Sequence, residues 1–345
     1  MASIIEEYKE LLPLFREVDH IASEKADECL RAHHFFTMGV LHRVKTEESI
    51  RGKLERYKDR FSSIRDMTDV IGLRIICYLS DDVDAISDAL KEIFNVSEVR
   101  DKRKKENISE FGYASLHLIC RIKPEEGISE EATDVFFEIQ IRTVLQHAWA
   151  EIEHDLGYKN EYRLSPTLRR TFSRVAGLLE IADGQFSELR TDINAYTEHI
   201  NESIENDRAD SLPIDYISIN RYFLSSRFMK AYLEDLKQKH GIEITHAGSE
   251  GYIEQLLWLD ITTLGELEQL FIRSRETISG FLEDGKKYEL DIFSDSAILK
   301  MAMDAELIAG GYTQEKMTGF YRLLGYDDKK CERHAAWIVK KRSST

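Results

Sequence analysis

The chain has 345 residues, is 42% hydrophobic and 32% charged, and carries a net charge of −16. That length suits one large domain or two ordinary ones, and the acidity disfavours broad, non-specific binding to nucleic acid, which needs a basic field. No apolar run reaches the ~18 residues of a membrane span, the acidic start MASIIEEYKE does not read as a signal peptide, and Cys29, Cys77, Cys120 and Cys331 form no CxxC pair, so a cytoplasmic protein with reduced thiols is expected.

Residues 4–31 place apolar and charged positions at helical period and predict a helix. A second helix is predicted from Thr46 to about Phe61, capped by Thr46, with Glu47 and Glu48 suited to its first turn. The β-rich run DVIGLRIICYL (69–79) predicts a strand, 81–94 an amphipathic helix, and short strands follow near 96–100, 113–122 and 134–142. Helical period returns over 143–158. This mixture predicts an α+β (mixed α/β) domain ending near residue 160. Beyond Pro166 the pattern is mainly helical: one long helix or two over 167–206, a polar linker DRADSLPIDY (207–216), a helical stretch over 216–240, a short strand within 241–248, and short helices with Gly-bearing turns over 250–340.

Side chains alternate between the two faces of a strand. Over 135–142 one face is Val135, Phe137, Ile139 and Ile141, and the other Phe136, Glu138, Gln140 and Arg142. Over 113–121, Ala114, Leu116, Leu118 and Cys120 oppose Tyr113, Ser115, His117, Ile119 and Arg121. The ordinary reading of the polar faces is a solvated sheet surface. Their Tyr, His, Glu, Gln and Arg content points instead to a floor that holds substrate, and Gly112 before Tyr113 permits an unusual backbone approach. Asp69 opens its strand and is either a turn residue or, paired with Glu138, a Mg²⁺ ligand, since hard cations take a few carboxylate oxygens plus substrate phosphates. Arg74 lies at odd separation from Asp69, so sharing a face requires an irregularity such as a bulge at Gly72.

Two stretches concentrate basic residues. Arg43 and Lys45 precede the predicted second helix, whose one side carries Ser49, Lys53, Arg56 and Arg60 and whose other carries Ile50, Leu54, Tyr57 and Phe61. A helix start flanked by cations suits a phosphate, although a solvated helix face has the same composition. Lys102, Arg103, Lys104 and Lys105 lead into Gly112-Tyr113, where an aromatic can stack a base with cations near its phosphates. The glycines are too few for a Walker loop. In 143–158, Leu145, Ala148, Trp149, Ile152 and Leu156 form an apolar stripe, and His147, Glu151, His154 and Tyr158 line another side. HxxxExxH is not the HExxH spacing, and the His154-Asp155 pair lacks the other ligands of an HD-type phosphohydrolase, so contacts that brace the sheet or meet a bound base are expected instead of metal ligation.

Taken together, RVKTEESIRGKL (43–54), MTDVIGLRII (67–76), FGYASLH (111–117) and FEIQIRTVLQHAWAEIEHDLGYK (137–159) resemble, in order, the synthetase domain of the RelA/SpoT family of (p)ppGpp synthetases (GTP pyrophosphokinases), in the manner of a small alarmone synthetase. The resemblance covers about residues 36–165. It implies a nucleotidyltransferase-like mixed sheet flanked by helices; the pattern places an N-terminal helix (1–35) before it, and after it a helical extension (166–206) and a mainly helical accessory domain (216–345) that have no counterpart in the family. It implies transfer of the β,γ-diphosphate of ATP to the 3′-OH of GDP or GTP, with AMP released. By similarity, Arg43, Lys45, Ser49, Lys53 and Arg74 hold ATP, and Asp69 and Glu138 hold Mg²⁺, with Glu138 also the base for the 3′-OH. Tyr113 stacks guanine, while His117, Gln140, Arg142 and His147, with Lys102, Lys104 and Lys105 from the basic loop, meet the acceptor. A toxin-type enzyme acting on the tRNA 3′ end or on adenosine nucleotides shares the motifs, and a non-catalytic nucleotide sensor is a third reading. Relatives associate through helices after the last motif, which implies a homo-oligomer; a sensory or neutralising role for residues 166–345 is the alternative.

Overall fold

The structure, a computed structural model, describes residues 2–57, 60–103, 115–155, 165–286 and 290–343. The chain divides into two units, Met1–Thr191 and Asp192–Thr345. The first runs α1 (Ala2–Ala32), β1 (Thr37–Val44), α2 (Glu47–Arg56), a 3-10 turn (Ile64–Asp66), β2 (Ile71–Cys77), α3 (Ser80–Ile93), β3 (Phe94–Asp101), β4 (Leu116–Ile122), α4 (Glu130–Thr133), β5 (Phe137–Thr143) and α5 (Val144–Asp155), then enters the long α6 (Pro166–Glu205). Its five strands lie in the order β1-β2-β5-β4-β3. Only β2 and β5 pair parallel; the other neighbours are antiparallel. This is the expected α+β arrangement of a mixed sheet with flanking helices.

The alternation of the sequence fixes which face of the sheet is dry. Across β4 and β5, Leu116 meets Ile141, Leu118 meets Ile139 and Cys120 meets Phe137. All six are buried and join Ile71, Leu73 and Ile75 of β2. Phe15 and Val18 of α1 and Val83, Ile86 and Leu90 of α3 belong to the same core. Phe137 is fully buried and meets Phe94 edge to face, ring centroids 5.2 Å apart. Phe137→Ala should therefore cost about 3–5 kcal/mol through lost transfer energy and a cavity, read as a lower urea midpoint by circular dichroism; a loss under about 1 kcal/mol would mean the site collapses freely.

Several sequence expectations need correction. Strand β1 was not anticipated: as an edge strand it leaves Met38 and Leu41 more than half exposed, so no clean alternation marks it. Helix α2 ends at Arg56 rather than near Phe61. No irregularity lies at Gly72; the β1–β2 register shifts between Thr37 and Val40. Asp69 precedes β2 in a turn, so strand parity never constrained it. In α5 the expected apolar stripe is only partly buried: Trp149 packs on Phe172 at 5.6 Å, while Ile152 is half exposed.

The second unit contains the end of α6, then α7 (Tyr216–Ser225), α8 (Arg227–His240), β6 (Glu243–Thr245), α9 (Ile253–Trp258), α10 (Leu264–Lys286), β7 (Ile292–Ser294), α11 (Asp295–Ala309), α12 (Gln314–Arg322) and α13 (Asp328–Arg342). It is mainly helical, with β6 and β7 pairing parallel. The stretch 207–216 is no free linker. Ala209, Leu212 and Ile214 are buried in this unit's core, and the backbone of Ile214 donates to Thr262 at 2.8 Å. The helical stretch 216–240 is two helices parted at Ser226, whose hydroxyl caps α8. Among the described residues no helix is long and apolar enough to cross a membrane.

Candidate active site

Three elements of the first unit deliver the acid at position 69. In α1, Glu7 accepts from the Ser63 hydroxyl (2.6 Å) and the Ile64 amide (2.8 Å), anchoring the 3-10 turn that leads to Asp69. Tyr8 donates its hydroxyl to the Lys45 carbonyl (2.7 Å), and the Lys45 amide donates to the Val70 carbonyl (2.8 Å). Lys45 thus comes alongside Asp69, and Lys53 reaches it from α2. The two ammonium groups take one carboxylate oxygen each, Lys45 Nζ on Oδ2 and Lys53 Nζ on Oδ1, both at 2.5 Å. Burial works to raise the Asp69 carboxyl, but the two lysines prevail and hold it below the usual aspartate range.

The second acid comes from the polar face of β5. Parallel pairing places Glu138 opposite Gly72, so the starts of β2 and β5 lie side by side. Glu138 is 9% exposed. His117 Nδ1 lies 2.8 Å from its Oε1, and Gln140 Nε2 donates to its Oε2 at 2.8 Å. Arg142 in turn donates to Gln140 Oε1. Burial favours protonation of Glu138, yet the His117 contact and the Gln140 amide outweigh it, and the carboxyl sits below the usual glutamate range, with Asp69 opposing. The polar alternates are therefore not a solvated surface: His117, Glu138 and Arg142 are all buried.

Cations complete the arrangement. Arg142 is pulled down to about 10 by burial and by the neighbouring Arg74, against Glu151 and Glu138. Its Nε has no hydrogen-bond partner. A buried guanidinium held by a neutral amide is a receptor for an anion such as phosphate. Arg74 forms an ion pair with Glu151 of α5 at 2.7 Å, and His147 lies 3.8 Å from the same carboxylate. Burial and the charge of Arg74 lower His147, favouring its neutral form.

A cavity of about 180 Å³ is lined by Leu41, His42, Arg43, Lys45, Asp69, Gly72, Leu73, Arg74, Glu138 and Gln140. Six of the site residues singled out in the sequence thus line one cavity: Arg43, Lys45, Asp69, Arg74, Glu138 and Gln140. Lys53 reaches it through Asp69, His117 through Glu138, and Arg142 through Gln140. Ser49 lies exposed in the first turn of α2, its amide donating to the capping Thr46 hydroxyl, away from the cavity lining. Lys102 is an exposed turn residue outside that lining. Tyr113, Lys104 and Lys105 lie outside the described residues, as do Leu156, Tyr158 and the side chains of His154 and Asp155. Sequence reasoning missed Leu41 and His42, which came with the unseen β1; His42 pairs with Asp19 at 2.8 Å. It also missed the Glu151–Arg74 pair, although Glu151 stood on the side of α5 singled out for polar contacts.

The donor set suits Mg²⁺. Among the described residues no cluster of three or more His, Cys, Asp or Glu forms a complete protein cage. Two carboxylates lining one cavity are what Mg²⁺ takes when substrate phosphates and water supply the remaining ligands. Asp69 works to raise the Glu138 carboxyl, and a dication held between the two would offset that repulsion.

Residues 42–163 match a family described as a region found in RelA/SpoT proteins. The chain is similar to two GTP pyrophosphokinases of Bacillus subtilis. With YjbM it is 33% identical over 156 residues, 45% of this chain and 72% of the relative. With YwaC it is 30% identical over 156 residues, 44% of this chain and 73% of the relative. A crystal structure of the small alarmone synthetase 1 from Bacillus subtilis bound to its product pppGpp aligns at 26% identity and TM-score 0.48, covering 55% of this chain and 99% of that one.

Proposed function

The chain belongs to the RelA/SpoT family, and from that premise we propose that it is a pyrophosphokinase that moves the β,γ-diphosphate of ATP to the 3′-OH of GDP or GTP, forming (p)ppGpp and AMP. The observation that carries this reading is the convergence of two carboxylates, Asp69 and Glu138, with Arg43, Lys45 and Arg74 around one cavity. Diphosphoryl transfer asks the protein for alignment and charge neutralisation rather than a covalent intermediate.

In this mechanism Arg43, Lys45, Lys53 and Arg74 hold the phosphates of ATP, and Arg142 attracts those of the acceptor. Asp69 and Glu138 would hold Mg²⁺, which when bound offsets the charge of the reacting phosphates. Lys45 and Lys53, which occupy the Asp69 oxygens, would turn to the ATP phosphates as those oxygens are taken up. The acceptor's 3′-oxygen attacks the β-phosphorus. The new O–P bond forms as the bond between that phosphorus and the α,β-bridging oxygen breaks, and AMP leaves with the bridging oxygen. The 3′-OH proton passes to the Glu138 carboxylate.

Thin-layer chromatography with γ-labelled ATP tests this. Protein and Mg²⁺ are offered GDP, GTP, GMP, ATP alone and bulk tRNA in parallel, and label should appear in a guanosine product. Label found only in tRNA, or only in an adenosine product, would replace the acceptor with that of the toxin-type enzymes.

A further inference from the structure

We propose that the second unit carries a binding site for a small planar aromatic molecule of no net charge, the chemistry shared by nucleosides and aromatic amino acids. The site is a cavity of about 690 Å³ lined from α10, α11 and α13, a volume within the range of small-molecule sites. It lies outside residues 42–163, which match the RelA/SpoT family, and does not depend on the diphosphate-transfer reading. Helical spacing builds its walls. Ser296, Lys300 and Asp304 lie one turn apart along α11, as do Phe281 and Gly285 on α10 and Trp337 and Lys341 on α13. Residues four apart share one side of a helix, so each helix turns one face to the cavity. Leu282, Ala302 and Ile338, from the same helices, are fully buried in the unit's core.

An under-filled core is lined by aliphatic side chains and stays dry. This cavity is lined differently. Phe281 and Trp337 meet with ring centroids 5.5 Å apart, and Trp337 keeps 37% of its surface exposed. Tyr252, from the 3-10 turn before α9, adds a third ring to the lining. Such rings offer flat surfaces on which a planar ligand stacks. The charges settle the ligand's class. Lys300 pairs with Asp304 at 2.6 Å, and Lys341 with Asp284 at 2.9 Å. The other oxygen of buried Asp304 accepts from the Tyr321 hydroxyl at 2.8 Å, which fixes that pair. Among the described residues the charged side chains lining the cavity are thus two lysines and two aspartates. A nucleoside triphosphate would bring several negative charges to lysines already offset by carboxylates, with no net positive field to repay its desolvation. An uncharged or zwitterionic molecule carries no such excess. Its oxygen can take a further N–H of the Lys300 ammonium, which has three. The Ser296 hydroxyl, 2.8 Å from Ser294 Oγ, can donate or accept.

The test uses the full chain labelled with ¹⁵N-tryptophan. Its three tryptophans are Trp149 in the first unit and Trp258 and Trp337 in the second, and their indole N–H peaks are assigned by single Trp→Phe substitutions. Adenosine, guanosine, L-tryptophan and L-tyrosine are titrated separately. At least one should shift the Trp337 peak saturably, with half-saturation below about 1 mM, and leave the Trp149 peak in place; the arm that saturates first separates a nucleoside from an amino acid. In calorimetric titrations Trp337→Ala, which removes a stacking face, and Ala297→Phe, which fills the cavity, should each weaken binding at least about tenfold. Trp337 is partly exposed, so its variant should melt near the wild-type temperature. Binding unchanged in either variant overturns the proposal, as does the lack of a saturable Trp337 shift with all four probes. A shift confined to Trp149 places the ligand in the first unit and has the same effect. GTP is the charged comparator: a Trp337 shift that saturates at lower GTP than guanosine overturns the assignment to an uncharged ligand.

Discussion

Glu138→Gln should reduce label transfer from ATP by about 10²–10⁴-fold, the range for removing a positioned general base, while the melting temperature stays near that of the wild-type chain. The substitution is nearly isosteric, and the new amide can still hydrogen-bond to His117 Nδ1. What it loses is the ability to take a proton. It also sets a second amide NH₂ against Gln140 Nε2, which Arg142 holds in place, so a small local rearrangement is expected without global unfolding. Among the described residues the acids lining the cavity are Asp69 and Glu138, and Asp69 is held by Lys45 and Lys53, so no neighbouring carboxylate replaces Glu138. Turnover within about threefold of wild type, measured at saturating ATP and acceptor, would remove Glu138 from the chemistry.

Asp69→Asn is expected to be nearly as damaging to turnover and more complex in its effect on stability. Asp69 neutralises Lys45 and Lys53 at once, and its side chain is only 22% exposed. An amide in its place leaves two half-hidden ammonium groups facing one another without their anion. Activity should fall at least about a hundredfold, and the concentration of Mg²⁺ needed for half-maximal rate should rise. The stability effect carries a pH signature. The folded carboxyl titrates below the unfolded value of 3.8, so its contribution is fully present above that value and is lost as pH falls through the folded one. The difference in urea midpoint between wild type and variant should hold steady from pH 7 to about pH 5 and shrink below about pH 4. A difference that persists unchanged into acid would show that the lysine pairing is not what Asp69 contributes.

Much of the site was legible because β5 is buried on both faces by different means. In FEIQIRT the apolar alternates had to enter a core, and the polar alternates were residue types that hold ligands rather than face water. The family resemblance then assigned roles to positions that alternation had already separated. Asp69 was legible as an acid at the edge of a strand, but its partners were not, since Lys45 and Lys53 come from segments whose approach depends on the packing of α1. Strand β1 was invisible to pattern because an edge strand needs no dry face, and Leu41 and His42 went with it. The His117–Glu138 contact was hidden for a different reason. That His117 and Glu138 share a face follows from parity, but that they are diagonal neighbours follows from the antiparallel register, which sequence spacing does not encode. The stretch 207–216 misled through composition: its polar residues are conspicuous, whereas Ala209, Leu212 and Ile214, the three that pack into the core, are the minority.

The strand order β1-β2-β5-β4-β3 also bears on how the protein comes into being. The antiparallel pairs β1–β2 and β3–β4 precede β5 in the chain, yet in the sheet each is hydrogen-bonded to β5 and not to the other. On a ribosome both pairs are complete while the strand that bears Glu138 has yet to be made. A nascent chain can therefore carry Asp69 and its lysines with nothing for them to act beside. Threading β5 into the central gap joins the two halves of the sheet and brings the second acid to the first. Completion of the sheet and the meeting of the two acids are therefore one event.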